Sequence, residues 1–144
     1  MIPYTENRVI RALMSHYLEA QCIAIPNTKA VWKRLESDLI VITPYNVTYE
    51  LEVKLSRSDF FKDFKKERKH RQLRSGSCPL NHFAYVCPEG MVKIDEVPEY
   101  AGLIWMRDTQ PFTIKKSPAL NRKFKVGEKL KNRLFRSLAW KYIN

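Results

Sequence analysis

Polar and apolar residues alternate with period two along residues 47–55, and this pattern predicts a β-strand. In such a strand Glu50, Glu52 and Lys54 project from one face, and apolar residues project from the other. Ionised groups are rarely buried unless they are paired or bind a metal. Taken alone, the charged triplet therefore favours a solvated edge strand of an antiparallel sheet.

The residues before this segment predict its partner strand. A continuous apolar run at residues 39–42 ends at the turn sequence Thr-Pro-Tyr-Asn. The two segments therefore predict an antiparallel hairpin. Its register places Asp38 opposite the stretch from Glu50 to Glu52, to within about two residues. A carboxylate at the start of one strand thus meets the charged face of its neighbour.

Apolar residues recur at three- and four-residue intervals in three other segments, which predicts three amphipathic helices. The first begins after Thr5 as N-cap, ends near residue 20 and directs Glu6 toward the core side of its first turn. The second begins at Ser58 as N-cap and ends near residue 74, and the third covers residues 127–142. Their basic faces consist of Lys62, Lys65, Lys66 and Lys69 on the second helix, and of Lys129, Arg133 and Arg136 on the third.

Short apolar segments at residues 82–86, 102–106 and 112–115 predict further strands. The fold class that we expect is α/β, with a central mixed sheet of four to five strands flanked by helices and a basic C-terminal helix. We assign the core to residues 1–108. A basic C-terminal extension, packed on the same domain, takes residues 109–144.

The charge of the chain indicates a polyanionic partner. The 144 residues carry a formal net charge of +11, and a strongly basic balance is typical of proteins that bind nucleic acid. Two segments hold most of it. Residues 55–75 contain eight Lys or Arg and three Asp or Glu, and residues 109–144 contain ten Lys or Arg and one Glu.

Nothing in the sequence predicts a membrane protein or a secreted one. No run of about 18 apolar residues is present, and the N-terminus lacks a charged segment followed by an apolar one. The three cysteines are odd in number and widely spaced, which fits a reducing compartment. We therefore expect a cytoplasmic protein with no membrane partner.

Asp38, Glu52 and Lys54 have a coherent joint chemistry. Two carboxylates that lie close together repel each other unless a cation lies between them. Mg²⁺ takes oxygen ligands and retains several waters, so Asp38, Glu52 and the main-chain carbonyl of Val53 form a suitable ligand set. Lys54 would then orient or deprotonate a metal-bound water, or contact the scissile phosphate.

These residues carry a resemblance to a known family. Asp38, followed by Glu52-Val53-Lys54 and an amphipathic helix, resembles the PD-(D/E)XK nuclease superfamily. The segment from Glu52 to Phe60, together with Asp63 and Lys69, is similar to small bacterial and phage members, including the MmcB-like DNA-repair group. The likeness covers about residues 5–106, and Ser37 stands where the family pattern has proline.

The resemblance implies a restriction-endonuclease-like core. It also implies a Mg²⁺-dependent deoxyribonuclease in which Mn²⁺ can replace Mg²⁺, with endonuclease action favoured over exonuclease action. It implies metal-binding carboxylates at Asp38 and Glu52, a catalytic lysine at Lys54, and Glu6 as a further candidate ligand. Ser56 joins the helix lysines as a candidate DNA contact. The expected setting is DNA repair, recombination or phage DNA processing, in the cytoplasm of a bacterium or a phage-infected cell. A homodimer would suit symmetric cutting of two strands.

Two other interpretations remain open at this point. A non-catalytic nucleic-acid-binding module would explain the charge equally well, although it leaves Asp38 and Glu52 unexplained. A zinc site formed by Cys78, His82 and Cys87, with His70 as a further candidate ligand, is less favoured, because the spacing lacks the paired Cys-x-x-Cys of structural zinc sites.

Overall fold

The central feature of the computed structural model, which describes residues 3–143, is a six-stranded mixed sheet. Its strands lie side by side in chain order. They are β1 (Ile23–Thr28), β2 (Ser37–Ile42), β3 (Thr48–Val53), β4 (His82–Pro88), β5 (Gly102–Arg107) and β6 (Gln110–Lys115).

The sheet combines antiparallel and parallel pairing. β1, β2 and β3 form an antiparallel meander, β3, β4 and β5 are parallel, and β6 returns antiparallel to β5. The α/β class and the mixed sheet are therefore confirmed, but six strands form where we expected four to five. The predicted boundary after residue 108 lies in the turn between β5 and β6, so the first part of the supposed extension belongs to the sheet.

Two of the predicted helices form as single helices. α1 covers Glu6–Glu19, and the Thr5 side chain accepts a hydrogen bond from the Arg8 N–H, as an N-cap does. The basic C-terminal helix, α4, covers Glu128–Ile143. Within residues 3–143, every helix is too short or too polar to cross a lipid bilayer.

The helix predicted from Ser58 to residue 74 is wrong in its bounds and in its continuity. α2 covers Arg57–Lys62, and its N-cap is Ser56, whose hydroxyl accepts a hydrogen bond from the Asp59 N–H. A 3₁₀ turn at Asp63–Lys65 follows, and α3 covers Glu67–Ser75. Lys66, between the two, has φ −77° and ψ 65° and so breaks the helix.

Apolar side chains bury both faces of the sheet. On one face Leu39 and Leu51 pack with Val9, Ile10 and Leu13 of α1. The opposite core is built by residues of the sheet with residues of α2, α3 and α4, namely Ile40, Phe83, Tyr85, Phe60, Leu73, Leu130 and Leu134. Towards the end of α4 the apolar pattern no longer predicts burial, since Phe135 is 49% and Tyr142 94% exposed.

A buried ion pair lies inside this second core. Lys69 Nζ of α3 is 3.0 Å from Glu50 Oε2 of β3, and neither side chain is exposed to solvent. Burial lowers the pKa of Lys69, but the charges of Glu50 and Glu52 outweigh burial and raise it overall. Lys69 therefore stays charged. The prediction that Lys69 contacts DNA on a solvated stripe is corrected, because its ammonium neutralises an internal carboxylate.

We expect Lys69→Met to destabilise the protein by about 3–5 kcal/mol, because it leaves the Glu50 carboxylate buried without its cation. Urea unfolding at neutral pH would measure this change. Lys62→Met is the matched control, since Lys62 is exposed on the neighbouring helix and its replacement should cost less than about 0.5 kcal/mol.

The double variant Glu50→Gln/Lys69→Met should recover part of the lost stability, because it removes both buried charges. A Lys69→Met protein as stable as the wild type would show that the pair contributes nothing.

Candidate active site

Asp38 and Glu52 meet across the β2–β3 hairpin. Leu39 pairs with Leu51 and Ile40 with Glu50, so the same register brings Asp38 opposite Glu52. Asp38 Oδ2 accepts a hydrogen bond of 2.8 Å from the main-chain N–H of Val53. The hairpin predicted from sequence is therefore confirmed, and its register lies within the expected range.

The Asp38 carboxylate is held in an unfavourable electrostatic environment. Burial and the neighbouring charge of Glu52 raise the pKa of Asp38 from 3.8 to about 8, and Glu6 adds to this effect. The Val53 N–H and Lys54 act in the opposite direction but do not compensate. Glu6 lies in the first turn of α1 and is exposed to solvent, but its charge still raises the pKa of Asp38.

Glu52 is buried, and its two carboxylate oxygens differ in their contacts. Its Oε1 lies 3.5 Å from Lys54 Nζ and 3.1 Å from Lys66 Nζ. Its Oε2 is buried and has no hydrogen-bond partner among the residues that the structure describes. Burial is the largest cause of the raised pKa of this carboxyl group. An unpaired buried carboxylate oxygen next to a second, repelling carboxylate is the arrangement that a cation would relieve.

Asp63 is the site residue that our functional assignments missed. Its Oδ1 lies 3.2 Å from Lys54 Nζ and 2.9 Å from Lys66 Nζ, and its Oδ2 accepts a 2.6 Å hydrogen bond from the Tyr85 hydroxyl. His70 Nε2 is 3.0 Å from the same Oδ2.

Burial would raise the pKa of Asp63, but the hydrogen bonds from His70 and Tyr85 and the lysine charges hold it well below its usual range. Asp63 is therefore an ionised anchor that fixes both Lys54 and Lys66. The sequence offered one signal for this role, the spacing of three residues from Asp63 to Lys66, at which opposite charges commonly pair.

The other predicted DNA contacts divide between surface and interior. Lys62 and Lys65 are exposed, Lys66 is half-buried against Glu52 and Asp63, and Lys69 is internal. Ser56 is exposed and serves as the cap of α2. The three predicted basic residues of α4, Lys129, Arg133 and Arg136, are all exposed.

α4 extends along the sheet toward the end that carries Asp38. Near its start, Lys131 Nζ donates a hydrogen bond of 2.9 Å to Asn46 in the β2–β3 turn. Near its end, Ser137 Oγ lies 2.9 Å from Thr28 Oγ1, and Thr28 pairs with Ser37 beside Asp38. The last turns of α4 therefore approach the candidate site from the β1 edge.

The donor set fits a small, hard cation. Asp38, Glu52 and the Val53 carbonyl offer oxygen ligands, which Mg²⁺ and Mn²⁺ accept. Within residues 3–143, no three His, Cys, Asp or Glu side chains gather into a group that could hold a metal ion. The proposed set contains two carboxylates, and such sites complete the coordination of Mg²⁺ with water and substrate oxygens.

Comparisons with known proteins bear on the fold alone. No family model matches the chain, and no curated protein matches it. A solved structure, the SPO1766 protein of unknown function from Silicibacter pomeroyi, is similar with a TM-score of 0.66 and 15% sequence identity. The similarity covers 99% of this chain and 89% of that one. The two chains therefore share a fold.

We expect Asp38→Asn to stabilise the protein in alkaline solution. The folded state raises the pKa of Asp38 from 3.8 to about 8, so the stability that this group contributes is lost as the pH rises through that window. The Asn amide oxygen retains the acceptor for the Val53 N–H. The advantage of the variant should grow from near zero at about pH 4 to about 5 kcal/mol above pH 8.

Chemical denaturation across that pH range would measure the difference, with Asp95→Asn, an exposed carboxylate, as the matched control. An Asp38→Asn protein less stable than the wild type above pH 8 would show that the ionised carboxylate stabilises the fold.

Proposed function

We propose that this protein is a metal-dependent nuclease that hydrolyses phosphodiester bonds in DNA. The observation that carries the proposal is the pair Asp38 and Glu52, which face each other across β2 and β3, while Glu52 Oε2 is buried with no hydrogen-bond partner among residues 3–143. Structural carboxylates are normally paired, so two repelling ones at one end of a sheet favour a functional explanation.

Asp38, Glu52 and the Val53 carbonyl would hold the cation, with Glu6 near enough to contribute charge. A divalent cation in this position supplies Lewis acidity for the phosphate and lowers the pKa of a bound water. The Val53 N–H keeps the Asp38 carboxylate oriented by its 2.8 Å hydrogen bond. The same residue, Val53, thus fixes one proposed ligand through its N–H and offers another through its carbonyl.

Lys54 is suited to the reacting phosphate or to the attacking water. Its ammonium is held between Glu52 at 3.5 Å and Asp63 at 3.2 Å, and its side chain remains 13% exposed. A cation fixed in place by two carboxylates needs little reorganisation when negative charge develops on a phosphodiester. Lys66, which touches the same two carboxylates, adds a second positive charge at the site.

The distribution of basic residues supports DNA as the substrate. Lys62 and Lys65 are exposed beside the site, and the exposed Lys129, Arg133 and Arg136 lie on α4, which extends toward the same end of the sheet. Phosphate contacts of this kind give affinity without sequence specificity. We further propose a restriction-endonuclease-like core, endonucleolytic action in repair, recombination or phage DNA processing, and a cytoplasmic location; a homodimer would suit cutting of both strands.

One observation favours a second candidate function, a nucleic-acid-binding module without cleavage activity. Lys54 and Lys66 already neutralise Glu52 Oε1 and Asp63, so these four residues form a network that could serve stability alone. The binding module leaves Asp38 and the unpaired Glu52 oxygen without a role. For that reason we prefer the nuclease.

The test is incubation of the purified protein with plasmid, single-stranded and branched DNA, with and without Mg²⁺ or Mn²⁺. We expect cleavage that requires the metal and that falls by about 10²–10⁴-fold in Asp38→Asn, Glu52→Gln and Lys54→Ala. Asp95→Asn and Lys93→Ala change exposed residues of the same types away from the site and should leave the rate unchanged.

Mg²⁺ should also raise the melting temperature of the wild type, and by much less in Asp38→Asn, since a cation bound to the folded state stabilises it. Cleavage that survives Lys54→Ala would contradict the assignment of the lysine. No cleavage of any substrate, with DNA binding unaffected by the metal, would favour the binding module.

A further inference from the structure

A basic groove adjoins the candidate active site and has no role so far. It has a volume of about 840 Å³ and lies between the β1–β2 connection and α3. The side chains that matter for its chemistry are Trp32, Lys33, Arg34, Lys66, Arg68 and Gln72. Among the described residues that line it, Glu67 is the one acidic side chain.

Three cations of this groove are available to a ligand. Lys33, Arg34 and Arg68 are exposed. In the part of the chain that the structure describes, their side chains have no ion-pair partner. The basic residues at the active site are, in contrast, held by carboxylates. Unpaired cations that line one groove from two walls are complementary to a chain of phosphates.

A single buried carboxylate ties the two walls together. Glu50 Oε1 accepts a 2.9 Å hydrogen bond from Trp32 Nε1 of the β1–β2 connection, and Glu50 Oε2 is 3.0 Å from Lys69 Nζ of α3. The residue after Trp32 is Lys33, whose φ of 66° is a left-handed conformation that an L-residue seldom adopts. The loop that presents Lys33 and Arg34 is thus fixed on the core, although its tip is exposed.

The groove connects directly with the candidate catalytic residues. Lys66 lines it, and the same ammonium contacts Glu52 Oε1 at 3.1 Å and Asp63 Oδ1 at 2.9 Å. A strand that follows the basic walls would therefore arrive at the carboxylates and at Lys54. Trp32 adds an aromatic surface in the same groove, and basic walls with an aromatic ring are typical of sites for single-stranded nucleic acid.

We propose that this groove binds the phosphodiester backbone of a single nucleic-acid strand and leads it to the active site. The inference rests on the proposed function and names its substrate class: nucleic acid that is single-stranded, or that carries a single-stranded branch, next to the bond to be cut. The aromatic ring of Trp32 between the basic walls favours a single strand, whose bases are free to stack on it.

The experiment measures binding without cleavage. Fluorescence anisotropy with a short fluorescein-labelled single-stranded DNA, in EDTA, compares the wild type with Lys33→Ala/Arg34→Ala and with Arg68→Ala. We expect the double variant to bind about tenfold more weakly and to lower the slope of log K against log salt by about 1.4, as two lost phosphate contacts would. Arg68→Ala should show about half of that change in slope.

The matched control is Arg11→Ala/Lys116→Ala, which removes the same charge. Arg11 is exposed on α1, on the opposite face of the sheet, and Lys116 is exposed and lines a separate cavity beside Tyr17 of α1. The control should bind like the wild type, and thermal unfolding would confirm that all variants are folded. The wild type should prefer the single strand to the same oligonucleotide annealed to its complement.

Four results would overturn the inference. Two concern the variants: wild-type affinity in Lys33→Ala/Arg34→Ala, or an equal loss of affinity in the control. The third is a duplex bound as tightly as the single strand. The fourth is competition by polyglutamate as strong as by DNA, which would indicate a general polyanion or an acidic protein as the ligand. Strand binding through the groove without metal-dependent cleavage of any DNA would instead contradict the proposed function and leave the groove assignment standing.

Discussion

The fold depends on ion pairs between buried carboxylates of β3 and lysines of the connection between β3 and β4. Glu50 and Glu52 point from β3 into the core that α2 and α3 cover, and Lys54, Lys66 and Lys69 meet them there. The Glu50–Lys69 pair is tolerable inside the core because its two charges lie within hydrogen-bond distance of each other. The connection from β3 to β4 is therefore an electrostatic component of the core as well as a link between parallel strands.

Local features of this fold are readable from the sequence. The Thr5 cap, the first helix and the β2–β3 hairpin depend on contacts between residues that are close in the chain, and the patterns predict them. β1 was harder to predict. Pro26 lies within β1, although Pro-Asn is typical of a turn, and proline is tolerated there because β1 is an edge strand.

The candidate site could be predicted only in part. Asp38, Glu52 and Lys54 are close in a hairpin, so their meeting follows from register. The prediction that Lys69 contacts DNA was wrong because a row of basic residues on a predicted helix does not indicate which of them pairs with a buried carboxylate. The role of Asp63 as an anchor was not predicted for a similar reason, because its partners Tyr85 and His70 lie on other elements, β4 and α3. Lys33 and Arg34 lie in the connection between β1 and β2 and were not among the predicted DNA contacts.

The crossover from β3 to β4, which contains α2 and α3, has a consequence for the order of folding. β2 and β3 are joined by a short turn and can pair early, whereas β3 and β4 pair only after residues 54–81 have crossed over the sheet. Until that crossover docks, the Glu50 side chain has no cation and must remain hydrated. Docking of α3 then dehydrates the carboxylate and its ammonium together, so we expect secondary structure in the meander to precede closure of this core.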